Sequence, residues 1–495
     1  MNKQKSIITL TALVLLLVYA VFIVSKLVFA NYSANYSLLT TNYIVAGKNG
    51  QTSDSKAVKN GSEVYLSAQP DRFGYVKNWY YDADCILPIG SSSILIEKST
   101  VIYIKYDFDF LLPTIVINTN GAPILDKENY VAAAISLLNC PNPEFVILDA
   151  DAGIRLRGNS TLGMPKKPYR IKFDSKTSVF GRKKEKSWVL LANYADKALM
   201  RNYLAYNSYA LLDGDAFTPL TVFVDVYLNG EYCGVYMLTD QISVGTDRVD
   251  ITNDTTDDTG YLLEQDYRAP NEGTENIDYF SVDGMYFNIR SPNPDDELLP
   301  SQVAYIKAYI ESVNNAIKSG NFENINALID VDSFIKYFMI QEIFKNTDIG
   351  GLSIFMYKDK NEKLFMGPVW DFDISAGNSD YIDYAPQGLW AQTQNPWFSR
   401  LMNVDEFRKH YVDYFFEAYD ATLLQIPDMV MQTYNTYREA FERNFEKWDI
   451  LNIYVWPNPS EVVAADTVEK QVLYLKEYLL NRLEWLNEFY SQYIE

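Results

Sequence analysis

The stretch that decides the fold is Asn346-Thr347-Asp348 together with Trp370-Asp371-Phe372-Asp373, whose first aspartate follows Asp348 by 23 residues. Around residue 350 the pattern reads helix, loop, strand, tight turn, strand. One carboxylate thus stands in the loop that ends a helix, and a second arrives after a hairpin has carried the chain away and back. A phosphoryl-transfer site uses this order. The first carboxylate receives the proton of an acceptor hydroxyl, and the second holds Mg²⁺ on nucleotide phosphates.

The chain has 495 residues and is 48 % hydrophobic, enough for two or three domains with packed cores. Its formal charge of −21 argues against general affinity for nucleic acid or anionic lipid, because like charges repel. Tyrosine is abundant, which favours a β-rich fold with wet aromatic edges. A single histidine, His410, sits in a charged helical stretch and is expected at the surface. Its lone presence argues against a Ser-His-Asp hydrolase or a His-ligated zinc site. Cys85, Cys140 and Cys233 lie far apart with no C-x-x-C pair, and are expected to be reduced and structural.

Lys3 and Lys5 precede an apolar run over residues 7–24, and Val28-Phe29-Ala30 offers a cleavage point. Residues 1–30 therefore read as a signal peptide or a signal anchor. Either version places the rest of the chain outside the cytoplasm, secreted or membrane-anchored by residues 7–24. Membrane contact is expected only through that segment.

Residues 31–110 read as a small all-β module. Short alternating runs such as Glu63-Val64-Tyr65-Leu66-Ser67, Tyr75-Val76-Lys77-Asn78-Trp79-Tyr80 and Thr100-Val101-Ile102-Tyr103-Ile104-Lys105-Tyr106 are separated by turn residues, including Asn60-Gly61. The module is loosely similar to small repeat modules of bacterial surface proteins, and a spacer role is favoured over ligand binding. From residue 111 to 495 a larger α+β domain is predicted. Its strand-rich half runs to about 290, with a hairpin at Asn229-Gly230 and a helix over 198–212. Its helix-rich half starts at about 300. Ser301 and Asp332 are candidate caps. The stripes Val303, Ile306, Ile310, Val313, Ile317 and Val468, Val472, Leu475, Leu479, Leu483, Leu486 are core faces.

Two basic segments stand out in this acidic chain. Arg155-Leu156-Arg157-Gly158-Asn159-Ser160 contains a glycine turn, and Lys166-Lys167-Pro168-Tyr169-Arg170-Ile171-Lys172-Phe173 puts Arg170 and Lys172 on one strand face. Cations beside such a turn suit a triphosphate; the plain alternative is a solvated basic face. Two carboxylates as close as Asp371 and Asp373 repel each other without a cation.

Arg157-Gly158-Asn159-Ser160, Lys167-Pro168-Tyr169-Arg170-Ile171-Lys172, residues 188–202, Gly234-Val235-Tyr236 and Trp370-Asp371-Phe372-Asp373 together resemble, in order, the spore-coat CotH-like atypical kinase family. Ordinary protein kinases show the related order of a catalytic-loop Asp, an Asn five residues later, a hairpin and Asp-Phe-Gly. The resemblance implies a bilobal, exported kinase-like domain that uses ATP and Mg²⁺ (or Mn²⁺) to phosphorylate Ser or Thr of proteins at the cell or spore surface. It implies Asp348 as catalytic base and Asp371 as a catalytic metal ligand, with Asp373 as a second acidic neighbour. Arg157 and Asn159 would line the nucleotide site, Lys172 would reach its phosphates, and Asp240 would pair with Lys172. The residue five after Asp348 is Ser353 rather than Asn, a weaker metal ligand. A catalytically inactive surface adhesion or coat-assembly protein is the competing reading. A glycoside hydrolase with paired carboxylates leaves the cation-bearing strand unexplained.

Overall fold

The computed structural model describes residues 35–45, 51–66, 76–84, 86–106, 111–294 and 298–494. The apolar run over 7–24 and Cys85 lie outside the described residues. Among those described, no helix is long and apolar enough to cross a membrane. The chain divides into two compact units, one built on the chain up to Phe110 together with Tyr227–Glu231, the other on the rest.

The smaller unit is all β. Strands β1 (Tyr36–Val45), β2 (Gln51–Lys59), β4 (Val76–Tyr80) and β6 (Thr100–Tyr106) form a sheet of order β2-β1-β6-β4, and β3 (Ser62–Tyr65) pairs with β5 (Ser93–Ile96). Asn60-Gly61 turns β2 into β3, with Gly61 at φ +79°. The Asp82 carboxylate accepts from the Ile86 and Leu87 amides and closes the turn after β4. Leu39, Ile89, Ile94, Ile96 and Ile102 supply the core.

In the larger unit, β7 (Thr114–Asn118), β8 (Val131–Leu138), β9 (Ile147–Leu156), β10 (Tyr169–Thr177), β11 (Glu185–Leu191), β12 (Val222–Leu228) and β13 (Glu231–Asp240) close into a barrel of order β10-β11-β13-β12-β7-β8-β9. Along β10 the buried Tyr169, Ile171 and Phe173 alternate with half-buried Arg170 and exposed Lys172. That alternation fixes which face meets the core. Asn229 and Gly230 both take positive φ, as a two-residue hairpin turn requires.

A second sheet has the order β15-β16-β14-β17-β18. It is built from β14 (Tyr261–Gln265), β15 (Tyr279–Val282), β16 (Met285–Ser291), β17 (Ile354–Lys358) and β18 (Leu364–Met366). The strands after residue 260 thus leave the barrel and join the hairpin that separates Asp348 from Asp371. Strand β14 is buried along its whole length and takes β16 and β17 on its two edges.

Helices α1 (Arg201–Leu212), α2 (Pro300–Ser319), α3 (Val331–Ile343), α4 (Asp405–Ala421), α5 (Ile426–Lys447) and α6 (Val468–Ser491) pack the apolar stripes inward. Helix α2 ends at Gly320 in the left-handed conformation, and Thr467 caps α6 through the Lys470 amide. Two caps differ from expectation. Pro300 occupies the first turn of α2, where its missing N–H is harmless, so Ser301 lies inside the helix. Asp330, not Asp332, accepts the Ser333 amide of α3. Asp332 instead faces the positive end of the helix from its first turn. His410 is exposed on α4, and among the described residues Cys140 and Cys233 form no disulfide.

Candidate active site

A cavity of about 1050 Å³ collects residues from the barrel strands, β14, the loop after α3 and the segment after β18. Asp348, Ser353, Asp371 and Asp373 all line it. The loop after α3 is stiffened locally, because Asn346 Oδ1 accepts the Asp348 amide (3.1 Å) and opens a 3₁₀ turn over Thr347–Gly350. Ser353 Oγ donates to Asp371 Oδ2 at 3.4 Å, so the hairpin brings the two acidic sites to one place.

These carboxylates touch the cavity yet are otherwise enclosed by protein. Burial, and next the charge of Asp371, pushes Asp348 up to about 7. Burial also raises Asp371, offset by Arg157 and the Ser353 hydroxyl. Asp373 is raised well above the usual carboxylate range by burial and by Asp371, Asp196 and Asp348. Three mutually repelling carboxylates favour a cation among them.

The start of α1 holds Asp371 in place. Its backbone stands at φ +66°, a strained conformation for a non-glycine residue. The Asp371 amide donates to Tyr206 Oη (3.3 Å) and the Phe372 amide to Asn202 Oδ1 (2.7 Å). Arg201, paired with Asp196 with both side chains fully buried, donates to the carbonyls of Ser375 and Ala376. Asp196 also accepts the Arg201 amide, the first free N–H of α1. Asn378 Nδ2 donates to the Asp373 carbonyl (2.8 Å). The stretch over residues 193–202 reads in sequence as a plain strand-to-helix junction. Its asparagines and its oppositely charged Asp196 and Arg201 are the signal in the sequence that it holds something else.

The barrel contributes three guanidiniums. Arg155 and Arg157 lie two residues apart at the end of β9, and Arg155 stands directly opposite Arg170 on β10. The Nε atoms of Arg155 and Arg170 are buried without a hydrogen-bond partner. Burial lowers the pKa of Arg170, and Arg155, Arg157 and Arg248 lower it further. Arg157 stacks over Trp370 at 5.5 Å, beside the acidic cluster. Asn159 lines the cavity and accepts from Lys127 Nζ (3.0 Å).

Two expected nucleotide contacts are corrected. Lys172 projects from the exposed face of β10, over the Tyr130 ring at 5.9 Å, and does not line the cavity. Asp240 is buried and pairs with Arg248 (3.3 Å) and Arg182 (3.6 Å), not with Lys172. Arg170 and Lys172 share one face of β10, but residue 172 lies further along the strand, past the cavity. Conversely, Glu264, Asp266, Arg268 and Arg290 line the cavity although the sequence reading passed over them. Glu264 pairs with Arg290 and Asp266 with Arg268. The signal is the placement of charges at alternate positions, Glu264, Asp266 and Arg268, running out of the end of an apolar strand.

Among the described residues no three Asp, Glu, His or Cys side chains form a ready-made metal cluster. The donor set nevertheless fits Mg²⁺ or Mn²⁺. These ions take oxygen donors, and Mg²⁺ is commonly held by one or two carboxylates with substrate phosphates and water completing the shell. Asp371, with Asp373 or Ser353, would supply the protein oxygens. The orphaned Nε atoms across the cavity fit an anion.

The family model described as CotH kinase protein matches residues 154–486. The chain belongs to the CotH kinase family. The match begins in β9 and ends in α6, and it takes in every cavity-lining residue except Lys127 and Glu128. A search of curated proteins returned no match.

Proposed function

We propose that this CotH kinase family member is an exported atypical protein kinase, which moves the γ-phosphoryl of ATP to a Ser or Thr hydroxyl of a protein at the cell or spore surface. The observation that carries this reading is the gathering of three guanidiniums and three carboxylates around one cavity. Arg155, Arg157 and Arg170 bind the phosphates, with Asn159 beside them. Asp371, with Asp373 or Ser353, would hold a divalent cation, which would supply neutralisation of the nucleotide's phosphate charge. Asp348 takes the proton of the acceptor hydroxyl as its oxygen bonds to the γ-phosphorus. The bond to the β,γ-bridging oxygen breaks and ADP leaves. A base held near neutrality suits that role.

The barrel and the helix-rich remainder act, in this reading, as the two lobes of a kinase. Export rests on the apolar run over residues 7–24, whether cleaved or retained as an anchor. Ser353, in place of the stronger amide ligand, favours the second reading, a kinase-fold adhesion or coat-assembly protein without catalysis. Melting the protein with Mg²⁺ and ATP tests nucleotide binding. Stabilisation of about 2.7 kcal/mol is expected at a hundred times the dissociation constant. No shift with Mg²⁺ or Mn²⁺ would remove the kinase reading.

A further inference from the structure

Outside the cavity, a buried polar network in the larger unit joins three parts of the chain far apart in sequence. Glu342, in the last turn of α3, and Arg482, on α6, are both fully buried and ion-paired at 2.6 Å. Arg482 also donates through Nε and Nη2 to the Glu342 carbonyl (3.2 and 2.9 Å). Its Nη1 donates to the carbonyls of Pro386 (2.9 Å) and Gly388 (2.6 Å). The Glu342 carboxylate in turn accepts the amides of Trp390 (2.6 Å) and Gln392 (2.8 Å). Each charge is thus met by several partners, the condition under which a buried pair is tolerated.

Neighbouring residues repeat the pattern. Lys345, buried and at φ +48°, donates to the carbonyls of Ala385 (2.8 Å) and Gln387 (3.0 Å). Trp390 Nε1 donates to the Asn346 carbonyl (2.6 Å), and Asn395 Nδ2 to the Ile349 carbonyl (3.1 Å). Residues 342–349, the loop that carries Asp348, are therefore gripped along their length by residues 385–395. The same downstream stretch begins near Tyr381, which lines the cavity.

We infer that the Glu342–Arg482 pair, with Lys345 and Trp390, locks the Asp348 loop to the segment 385–395 as one rigid support behind the acceptor side of the cavity. Arg482 does not line the cavity, so it acts through Asp348 and not on the phosphates. The phosphate-binding guanidiniums belong to the barrel and take no part in the network. The last helix is then part of the transfer apparatus while nucleotide binding is independent of it. This inference rests on the kinase reading above.

The test compares the full chain with Arg482→Met, Arg482→Lys and Trp390→Phe. Each is assayed for MgATP-induced stabilisation, and for kcat and acceptor KM in γ-phosphate transfer to casein. The expected signature is a split. The MgATP half-saturation point stays within about twofold. In Arg482→Met, kcat falls by about 100-fold, the scale of an ångström-level misplacement. Arg482→Lys recovers only part, since an ammonium cannot span Glu342 and two carbonyls as the guanidinium fork does. Trp390→Phe, which removes one hydrogen bond, shows the same split more weakly and decides the matter should the Arg482 variants fail to fold. Folded variants with unchanged kcat, or a loss of transfer matched by equal loss of nucleotide binding, would overturn the inference. Wild-type protein that binds MgATP but transfers nothing would instead overturn the kinase reading.

Discussion

Arg155 and Arg170 stand directly opposite each other on antiparallel β9 and β10, each with a buried Nε that makes no hydrogen bond. Like charges in that register destabilise a sheet by some tenths to about 1 kcal/mol. The arrangement is sensible if an anion bridges them. Replacing Arg170 by Gln is expected to leave the ligand-free protein equally or slightly more stable. It should weaken nucleotide binding by about tenfold or more, as loss of a charged hydrogen bond does. Paired melting curves with and without MgATP measure both quantities. A less stable protein with unaltered affinity would show that the pair is structural.

The acidic cluster sets the pH dependence. Asp348 is raised to about 7 in the folded state from an ordinary 3.8, and Asp371 and Asp373 are raised as well. A folded state that holds its protons more tightly than the unfolded chain gains least at high pH. Their contribution to ligand-free stability should therefore be full below about pH 4 and be lost as pH rises through 7. An Asp348→Asn protein should lose part of that slope, and Mg²⁺ with nucleotide should flatten it. Melting temperature against pH for the two proteins decides the matter. Equal slopes would place Asp348 outside the coupled cluster.

Ser353 offers a gain-of-function test. Its backbone lies at φ +54°, a region that asparagine enters more readily than serine. Ser353→Asn should fold without penalty and add an amide oxygen beside Asp371. The Mg²⁺ concentration for half-maximal nucleotide-induced stabilisation should drop, by roughly tenfold for one good oxygen ligand. No change on titration would mean that residue 353 does not reach the ion.

A purely structural prediction concerns Gly234, at φ +100°. A Cβ there would sit 2.6 Å from Asn444 Oδ1 and 2.9 Å from Trp448 Nε1. Asn444 Oδ1 accepts from the Val235 amide and from Lys166 Nζ, so it cannot move freely. Gly234→Ala should lower stability by about 1–3 kcal/mol. Gly214→Ala, with open space around its Cβ, should stay within about 0.5 kcal/mol. Chemical denaturation compares them, and equal effects would discredit the packing around α5.

Local patterns carried the fold far. The apolar stripes of α2 and α6 and the Asn229-Gly230 turn depend on neighbours within a few residues, and all appear as expected. Asp348, Ser353, Asp371 and Asp373 could be grouped because a short hairpin returns the chain to its starting point. Features set by distant pairing were not legible. The opposition of Arg155 and Arg170 depends on the register of β9 with β10, and the entry of Glu264 and Arg268 into the cavity depends on β14 joining β17. Lys172 was favoured over Arg170 by analogy with ordinary kinase strands, but the depth of each residue along β10 is a tertiary property. Asp240 likewise finds its arginines only when β13 packs beside β11.

The central claim, phosphoryl transfer from this cavity, is tested most directly with γ-labelled ATP. Wild-type protein and an Asp371→Ala variant would be compared in Mg²⁺ and in Mn²⁺, with autophosphorylation and casein as acceptors. The account predicts label on protein with wild type and its loss in the variant. Equal labelling by both proteins, or none from wild type with either ion, would contradict it.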